Sequence, residues 1–483
     1  MCSLQATARI PRGMIEETRT VVEMARRFKR EVMIPYTLEL DRRMQQDPDY
    51  LPWDFVNKAN EWGFYTMWIP KAFGGRGYNL PSLSYFLEET ASECLALANL
   101  IGVHYLAVAS IFSTWNIGLI SRLCRLVRQG EENGKPCLMS TAITEPNAGT
   151  DVEEAELTDK GNITCIARKV SNGYVVNGTK VFISNGHVSQ LHILIAYTDS
   201  EKASEKVVMM AVQNGTKGFS FGRKERKMGV KGCPASELVF KDCFVPDEWV
   251  LISPDQSRKM RLDARESGIR LLDYTLASSR AGVSAFGTGV ARGAFETALA
   301  FAAKTMVNDK LLINHEWAQS MLAEMYKNVA LARLSYVESN YANGLYGVFS
   351  FMQIKPVYYY FKWMPEIIAD KLAGFFMQLK LATWLFRKFY LVGKKTREFQ
   401  RIAGWGSLAK FAGTDAGVKN CQMAVELMGQ AGLRQDYRLE KMLRDAKLLQ
   451  IYEGTNQLNR LNLFKCLIGA DLSMVEVFEH EEI

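Results

Sequence analysis

No two cysteines stand at C-x-x-C spacing, and the nine in the chain are an odd number. That argues against a complete disulfide framework and makes a reducing compartment the simpler expectation. The five histidines include no set at metal-ligand spacing, so no metal site is expected. The opening stretch "MCSLQATARIPRGMIEETRT" lacks an apolar h-region, which predicts a cytoplasmic protein and not one secreted by the usual route. No run of about 18 uncharged apolar residues stands out, which predicts no conventional spanning helix and leaves surface attachment open. A phosphate-binding G-x-x-x-x-G-K-[ST] loop is also missing. "GTGVARG", Gly287 to Gly293, approaches a dinucleotide fingerprint but has an extra residue before its last glycine and no strand before it. Small residues allowing close helix packing explain it better.

The chain has 483 residues, 48% of them hydrophobic, enough for a large core divided into two to four domains or subdomains. From Ile15 to about Leu126 apolar residues recur at helical spacing, as in "VVEMARRFKREVMIPYTLELDRR". From Met139 to about Trp249 the pattern changes to short alternating runs such as "GYVVNGTKVFIS" and "LHILIAYT", separated by turn signals. After a charged connector, "DQSRKMRLDARESG", helical periodicity returns. The expected fold class is α+β multidomain. It comprises an N-terminal helical domain (1–138), a central antiparallel β-barrel or sandwich (139–252) and a C-terminal helical bundle (253–483).

Three short stretches stand out on that background. "TAITEPNAGTD", Thr141 to Asp151, is a polar turn after a short apolar strand, able to offer N–H groups and hydroxyls to a ligand, and equally readable as a plain turn. "GTKVFISNG", Gly178 to Gly186, reads as a strand ending in a hairpin. "IYEGTNQLNR", Ile451 to Arg460, places one acid, Glu453, at a helix boundary. In this order, together with "MGVKGCPASELVFKDCFVP", they resemble the acyl-CoA dehydrogenase family from about residue 15 to about residue 468.

The resemblance implies a homo-oligomeric FAD flavoprotein, a dimer or tetramer, that oxidises an acyl-CoA thioester to its trans-2-enoyl-CoA. Such a reaction needs a carboxylate base at the weakly acidic α-proton and a hydride acceptor on the other face of the Cα–Cβ bond. By similarity Glu453 is that base, and burial should raise its pKa. Some branches of the family place the base on an earlier helix; the matching residue here is Ser279, which cannot take that role. Ile143 and Thr144 match contacts to the flavin ring, and Phe182 matches an aromatic packed on it. Ser184 matches a hydroxyl near its reactive nitrogen, and Thr455 and Gln457 further FAD contacts. Thr150 matches a position near the CoA or FAD phosphates, and Arg280 and Gly454 match substrate-side positions. Reduced flavin would pass electrons to an electron-transferring flavoprotein or to a membrane acceptor. An acyl-CoA oxidase using oxygen and a non-catalytic assembly or binding subunit are the alternatives.

Two departures concern the far end of FAD. An arginine that reaches a neighbouring subunit's FAD in many members is absent from "TMVND", Thr305 to Asp309, and a family glutamine is Glu426 here. A third departure is an apparent insertion at about 347–400. Lys355 to Arg401 contains ten Lys or Arg against Glu366, Asp370 and Glu398, a net charge of +7 that equals the formal +7 of the whole chain. Aromatics from Tyr358 to Tyr390 crowd the same stretch. Basic, aromatic helices fit an anionic membrane interface; a lid over the substrate entrance or a subunit interface fits as well. No nucleic-acid reading motif accompanies the charge, so nucleic acid is not an expected partner. His104 and Tyr105, in "GVHYLAV", either line the acyl end of the pocket or are ordinary packed residues.

Overall fold

A computed structural model describes residues 10–376 and 380–469. The reading of a missing leader rests partly on residues 1–9, which lie outside them. Six helices form the N-terminal region: α1 (Arg12–Phe28), α2 (Ile34–Gln46), α3 (Trp53–Glu61), α4 (Leu80–Ala91), α5 (Leu95–Ser113) and α6 (Ile117–Glu132). Local chemistry sets their starts. Asn79 caps α4 by accepting from the Ser82 N–H at 3.0 Å with Pro81 in the first turn, and Asn116 caps α6 by accepting from Leu119. Helix α5 corrects one expectation, because it is uncharged and, by length and hydropathy, able to cross a membrane. It is the core helix of this region instead, with 89% of its apolar window buried. His104 and Tyr105 lie inside that core. The His104 ring bonds the Tyr65 carbonyl (3.0 Å) and accepts from Met139 N–H (3.1 Å), while the Tyr105 hydroxyl donates to the Phe64 carbonyl (2.6 Å). They are packed residues.

The central region is one sheet in the order β6-β7-β3-β2-β4-β5-β8, with β1 added on β4. Its strands are β1 (Leu138–Ala142), β2 (Ile166–Val170), β3 (Gly173–Ser184), β4 (Ser189–Tyr197), β5 (Val207–Gln213), β6 (Phe219–Lys224), β7 (Ala235–Pro246) and β8 (Val250–Ile252). All eight contribute to, or pack against, a core that includes Ala142, Tyr174, Leu194, Met210 and Val245. The expectation of an antiparallel domain needs correction: β1 runs parallel to β4 along its length, and β2 meets β4 in a parallel pairing. The physical reason is burial on both faces, the usual setting of parallel strands. Leu138 and Met139 pack into the helical core beside α5, whereas Ala142 packs into the sheet's own core.

The connector predicted from its charges is largely helical. Pro254–Lys259 forms a short helix, and Asp263 caps the long helix α7 (Ala264–Ala302) by accepting from Glu266 N–H at 3.0 Å. Helices α8 (Glu316–Tyr346) and α12 (Thr396–Met428) pack with α7, and α13 (Leu439–Leu449) and α14 (Asn456–Leu463) complete the bundle. "GTGVARG" lies on α7. A Cβ at Gly287 would strike the Gly413 carbonyl on α12, one at Gly289 the Glu88 carbonyl, and one at Gly293 the Ser92 carbonyl. These are close helix crossings that only glycine permits. Between α8 and α12 the chain forms α9 (Lys355–Trp363), α10 (Glu366–Phe376), α11 (Lys380–Arg387) and a π-helical turn (Lys388–Val392).

Candidate active site

The loop between α13 and α14 turns on two consecutive left-handed residues, Glu453 (φ 57°) and Gly454 (φ 75°). For glutamate that conformation costs on the order of 1–3 kcal/mol, so the surroundings must hold it. They do. Lys410 on α12 donates to the Gly454 carbonyl and to Asn456 Oδ1, both at 2.7 Å, and Asn459 donates to the same carbonyl at 2.9 Å. Thr455 caps α14 by accepting from Leu458 N–H at 3.2 Å. Gly454 must be glycine for a second reason: a Cβ there would lie 2.5 Å from Glu153 Oε2 and 3.2 Å from Arg280 Nη2.

The Glu453 side chain reaches across to α7. Its Oε2 accepts from Ser279 Oγ at 2.6 Å, and Arg280 Nε lies 3.4 Å from its backbone carbonyl. Arg280 is buried and also donates to Ser407 Oγ (3.1 Å) and Glu153 Oε2 (3.2 Å). Burial raises the Glu453 pKa, with Ser279, Arg280 and Lys410 opposing it. Glu153 is pushed up to about 7 by burial, and Lys410 is brought down to about 7 by the same cause. Two carboxyls and two basic side chains therefore meet in one buried cluster, and the Tyr452 hydroxyl is buried without a hydrogen-bond partner among the described residues.

On the sheet side, Lys180 and Glu145 form an ion pair at 2.8 Å with both side chains fully buried. Lys180 also donates to the Ile143 carbonyl at 2.7 Å, and Val181 N–H donates to the Thr144 carbonyl at 2.9 Å. These bonds lash the polar turn to β3. Between Lys180 and Ile183 the β3–β7 pairing breaks register, Phe182 adopts φ 58°, and its ring stands 57% exposed. An aromatic ring held outward beside the half-exposed Thr144 and Ser184 makes a shelf for a planar heteroaromatic with a polar edge. Beyond Ser184, Asn185 bonds the Leu100 carbonyl (2.7 Å) and accepts from Cys233 Sγ (3.4 Å). Three residues before Cys233, Val230 N–H donates to Asp445 on α13. That chain of contacts ties the Phe182 shelf to the helix leading into Glu453.

Three family models match along the chain: the acyl-CoA dehydrogenase N-terminal domain over 15–115, the middle domain over 140–243, and the C-terminal domain over 266–341 and 377–468. The chain belongs to the acyl-CoA dehydrogenase family. With the family comes its chemistry, the FAD-dependent oxidation of acyl-CoA thioesters. The C-terminal match leaves 342–376 outside the family pattern. One relative, cyclohex-1-ene-1-carbonyl-CoA dehydrogenase of Syntrophus aciditrophicus (strain SB), is 28% identical over 93% of this chain and 89% of its own length. Two solved structures share the fold. One is the butyryl-CoA dehydrogenase of Megasphaera elsdenii (TM-score 0.70, 23% identity, 94% of this chain and 98% of that one). The other is a chain from the structure of the electron transferring flavoprotein of Acidaminococcus fermentans (TM-score 0.71, 22% identity, 94% and 98%).

In this acyl-CoA dehydrogenase the residues singled out from sequence fall into groups. Glu453, Gly454 and Arg280 meet directly, and the turn Thr150–Glu153 joins them because Glu153 bonds Arg280. Ile143, Thr144, Phe182 and Ser184 share the shelf on the sheet side. Thr455 Oγ1 accepts its bond as a helix cap, and Gln457 faces solvent on α14. Sequence reasoning passed over Glu145, Lys180, Glu153 and Lys410. A lysine inside the otherwise apolar end of a strand run was the available signal for Lys180; Glu145, in the polar turn after β1, Glu153 and Lys410 carried none. Ser279, set aside as unable to be a base, is the hydrogen-bond donor to Glu453. Glu426 is exposed near the end of α12, and Thr305 lies in the turn that follows α7.

Proposed function

We propose that the protein catalyses α,β-dehydrogenation of an acyl-CoA, with Glu453 as the base that removes the α-proton. The observation that carries this reading is the Glu453 carboxylate itself. It is presented by left-handed backbone, oriented by Ser279 at 2.6 Å, and has a pKa raised by burial. Ser279 fixes the carboxylate rotamer and leaves the other oxygen to accept the proton. Arg280 and Lys410 hold the 453–454 backbone in place, and their charges limit how far the Glu453 pKa rises. The shelf of Phe182, Thr144, Ser184 and the 143–144 backbone suits the isoalloxazine ring, with Thr455 and Gln457 as further FAD contacts and Thr150 on the phosphate side. FAD, when bound, supplies the acceptor for the hydride that leaves Cβ as the trans-2-enoyl-CoA forms. Arg280 and Gly454 face the thioester end of the substrate.

The electron acceptor is an electron-transferring flavoprotein. We further assign the protein to the cytoplasm, to a homo-oligomer (dimer or tetramer), and to contact with an anionic membrane surface through residues 355–401. The test is spectroscopic. Purified protein should carry yellow flavin that a panel of acyl-CoAs bleaches without oxygen and that an electron-transferring flavoprotein, not air, restores. Glu453→Gln should keep flavin and lose bleaching. Restoration by air alone would make the enzyme an oxidase, and a colourless protein that takes up no FAD would make it a binding subunit.

A further inference from the structure

Helices α9 to α11 expose apolar side chains in an arrangement opposite to that of an ordinary surface helix. On α11, Leu381, Trp384, Leu385 and, in the next turn, Phe389 recur at i, i+3, i+4 and i+8 and all face outward. The same helix turns its arginine inward: Arg387 is buried and donates to the Thr114 carbonyl (2.9 Å), the Leu251 carbonyl (2.6 Å) and Gln256 (3.1 Å). On α10, Ile367 (72% exposed), Ile368 and Phe375 face outward while Ala369 is buried. On α9, Trp363 (73% exposed) and Tyr360 face outward over the buried Tyr358. Of 29 exposed large hydrophobic residues among the described ones, ten lie between Ile354 and Phe389. So dense an apolar surface normally marks an interaction site.

The segment is firmly seated, so this exposure is not that of a loose hairpin. Trp115 stacks on Tyr390 (4.4 Å) and Phe386 (5.5 Å), and the Tyr274 hydroxyl donates to the Tyr390 carbonyl at 2.7 Å. Arg270 bonds the Leu391 carbonyl, Asp370 pairs with Arg128, and Lys71 donates to the Lys362 carbonyl at 2.9 Å. The charge on the outward face is basic: Lys371, Lys380 and Lys388 stand exposed among the apolar groups, Lys388 lying over the Trp384 ring at 5.1 Å. Glu366 is exposed on α10, and Asp370, partly exposed, is paired with Arg128.

We infer that α9, α10 and α11 form a rigid plate that docks the protein on an anionic phospholipid surface. Trp363, Ile367, Phe375, Trp384 and Phe389 enter the interface, and Lys371, Lys380 and Lys388 face the headgroups. Aromatic and aliphatic groups with basic neighbours match the chemistry of such an interface, and a second copy of this face would oppose lysine to lysine. The inference gives residues to the membrane contact assigned above and is independent of the dehydrogenase chemistry.

The test uses the FAD-loaded full chain with vesicles of phosphatidylcholine, with and without phosphatidylserine. The wild type should sediment with the anionic vesicles at low salt and be released at high salt. Lys371→Glu/Lys380→Glu/Lys388→Glu should weaken binding by at least about tenfold, as should Trp363→Ser/Trp384→Ser/Phe389→Ser. Both variants should keep flavin absorbance and acyl-CoA bleaching, which shows that they fold. Absence of binding by the wild type at low salt would overturn the inference. So would undiminished binding by both variants, or an oligomer that dissociates in the serine variant while the wild type ignores vesicles.

Discussion

Glu145 and Glu453 are two carboxylates on two loops of one site, and their surroundings send them in opposite directions. Burial presses each toward its neutral form. At Glu145 the Lys180 ammonium and the N–H groups of Thr164 and Cys165 outweigh it, and the pKa is lowered. At Glu453 the hydroxyl of Ser279, with Arg280 and Lys410 engaged mainly with backbone and other side chains, leaves the pKa raised. A buried acid with a complete set of partners is held ionised, whereas one with a single neutral donor at its carboxylate has the chemistry a base needs.

Breaking each acid separates the two roles. Glu453→Gln should slow anaerobic bleaching by about 10²- to 10⁴-fold, the usual worth of a positioned base, with flavin content and melting temperature nearly unchanged. Lys180→Met should do the reverse. It strands a buried carboxylate, which costs about 3–5 kcal/mol in urea unfolding, and it should loosen flavin, whereas Lys180→Met with Glu145→Leu should recover much of that stability. Gly454→Ala, forcing a Cβ against Glu153 and Arg280 at positive φ, should cost about 1–3 kcal/mol and lower the bleaching rate. Ser279→Ala is the smallest change. It removes the donor that lowers the Glu453 pKa, so the acid limb of the bleaching rate should move to higher pH with little loss of stability.

The pH dependences have opposite signs. A base at Glu453 must be ionised to take the proton, so the rate should rise with pH through its raised pKa. Glu145 has a depressed folded pKa, so its contribution to stability is present above the ordinary carboxylate value and is lost as pH falls through the depressed one. Glu89 behaves likewise: burial alone would raise it, but Arg292, Lys29 and Arg26 hold it at about 2. The stability it contributes is lost as pH falls from the ordinary carboxylate range through that value, which acid titration of unfolding would show.

The α, β, α order and the turn at Glu453 between two helices were legible because they rest on local signals: hydrophobic period, turn residues and short motifs. What escaped depends on distant pairs or on direction. Alternation in β1 and β4 carries no strand direction, so their parallel pairing was hidden. Ser279 and Glu453 stand far apart in sequence, and only packing of α7 against the last loop brings them together. Charge counting misled twice. The acidic and basic connector hid a proline-started helix and an Asp263 cap, and Arg387, counted as surface charge, is a buried anchor.

The most direct measurement of the base is α-proton exchange. An acyl-CoA incubated with the FAD-loaded enzyme in D2O without oxygen and recovered should carry deuterium at Cα with the wild type and none with Glu453→Gln, at equal flavin content. Equal deuteration by the two enzymes would contradict the assignment of Glu453.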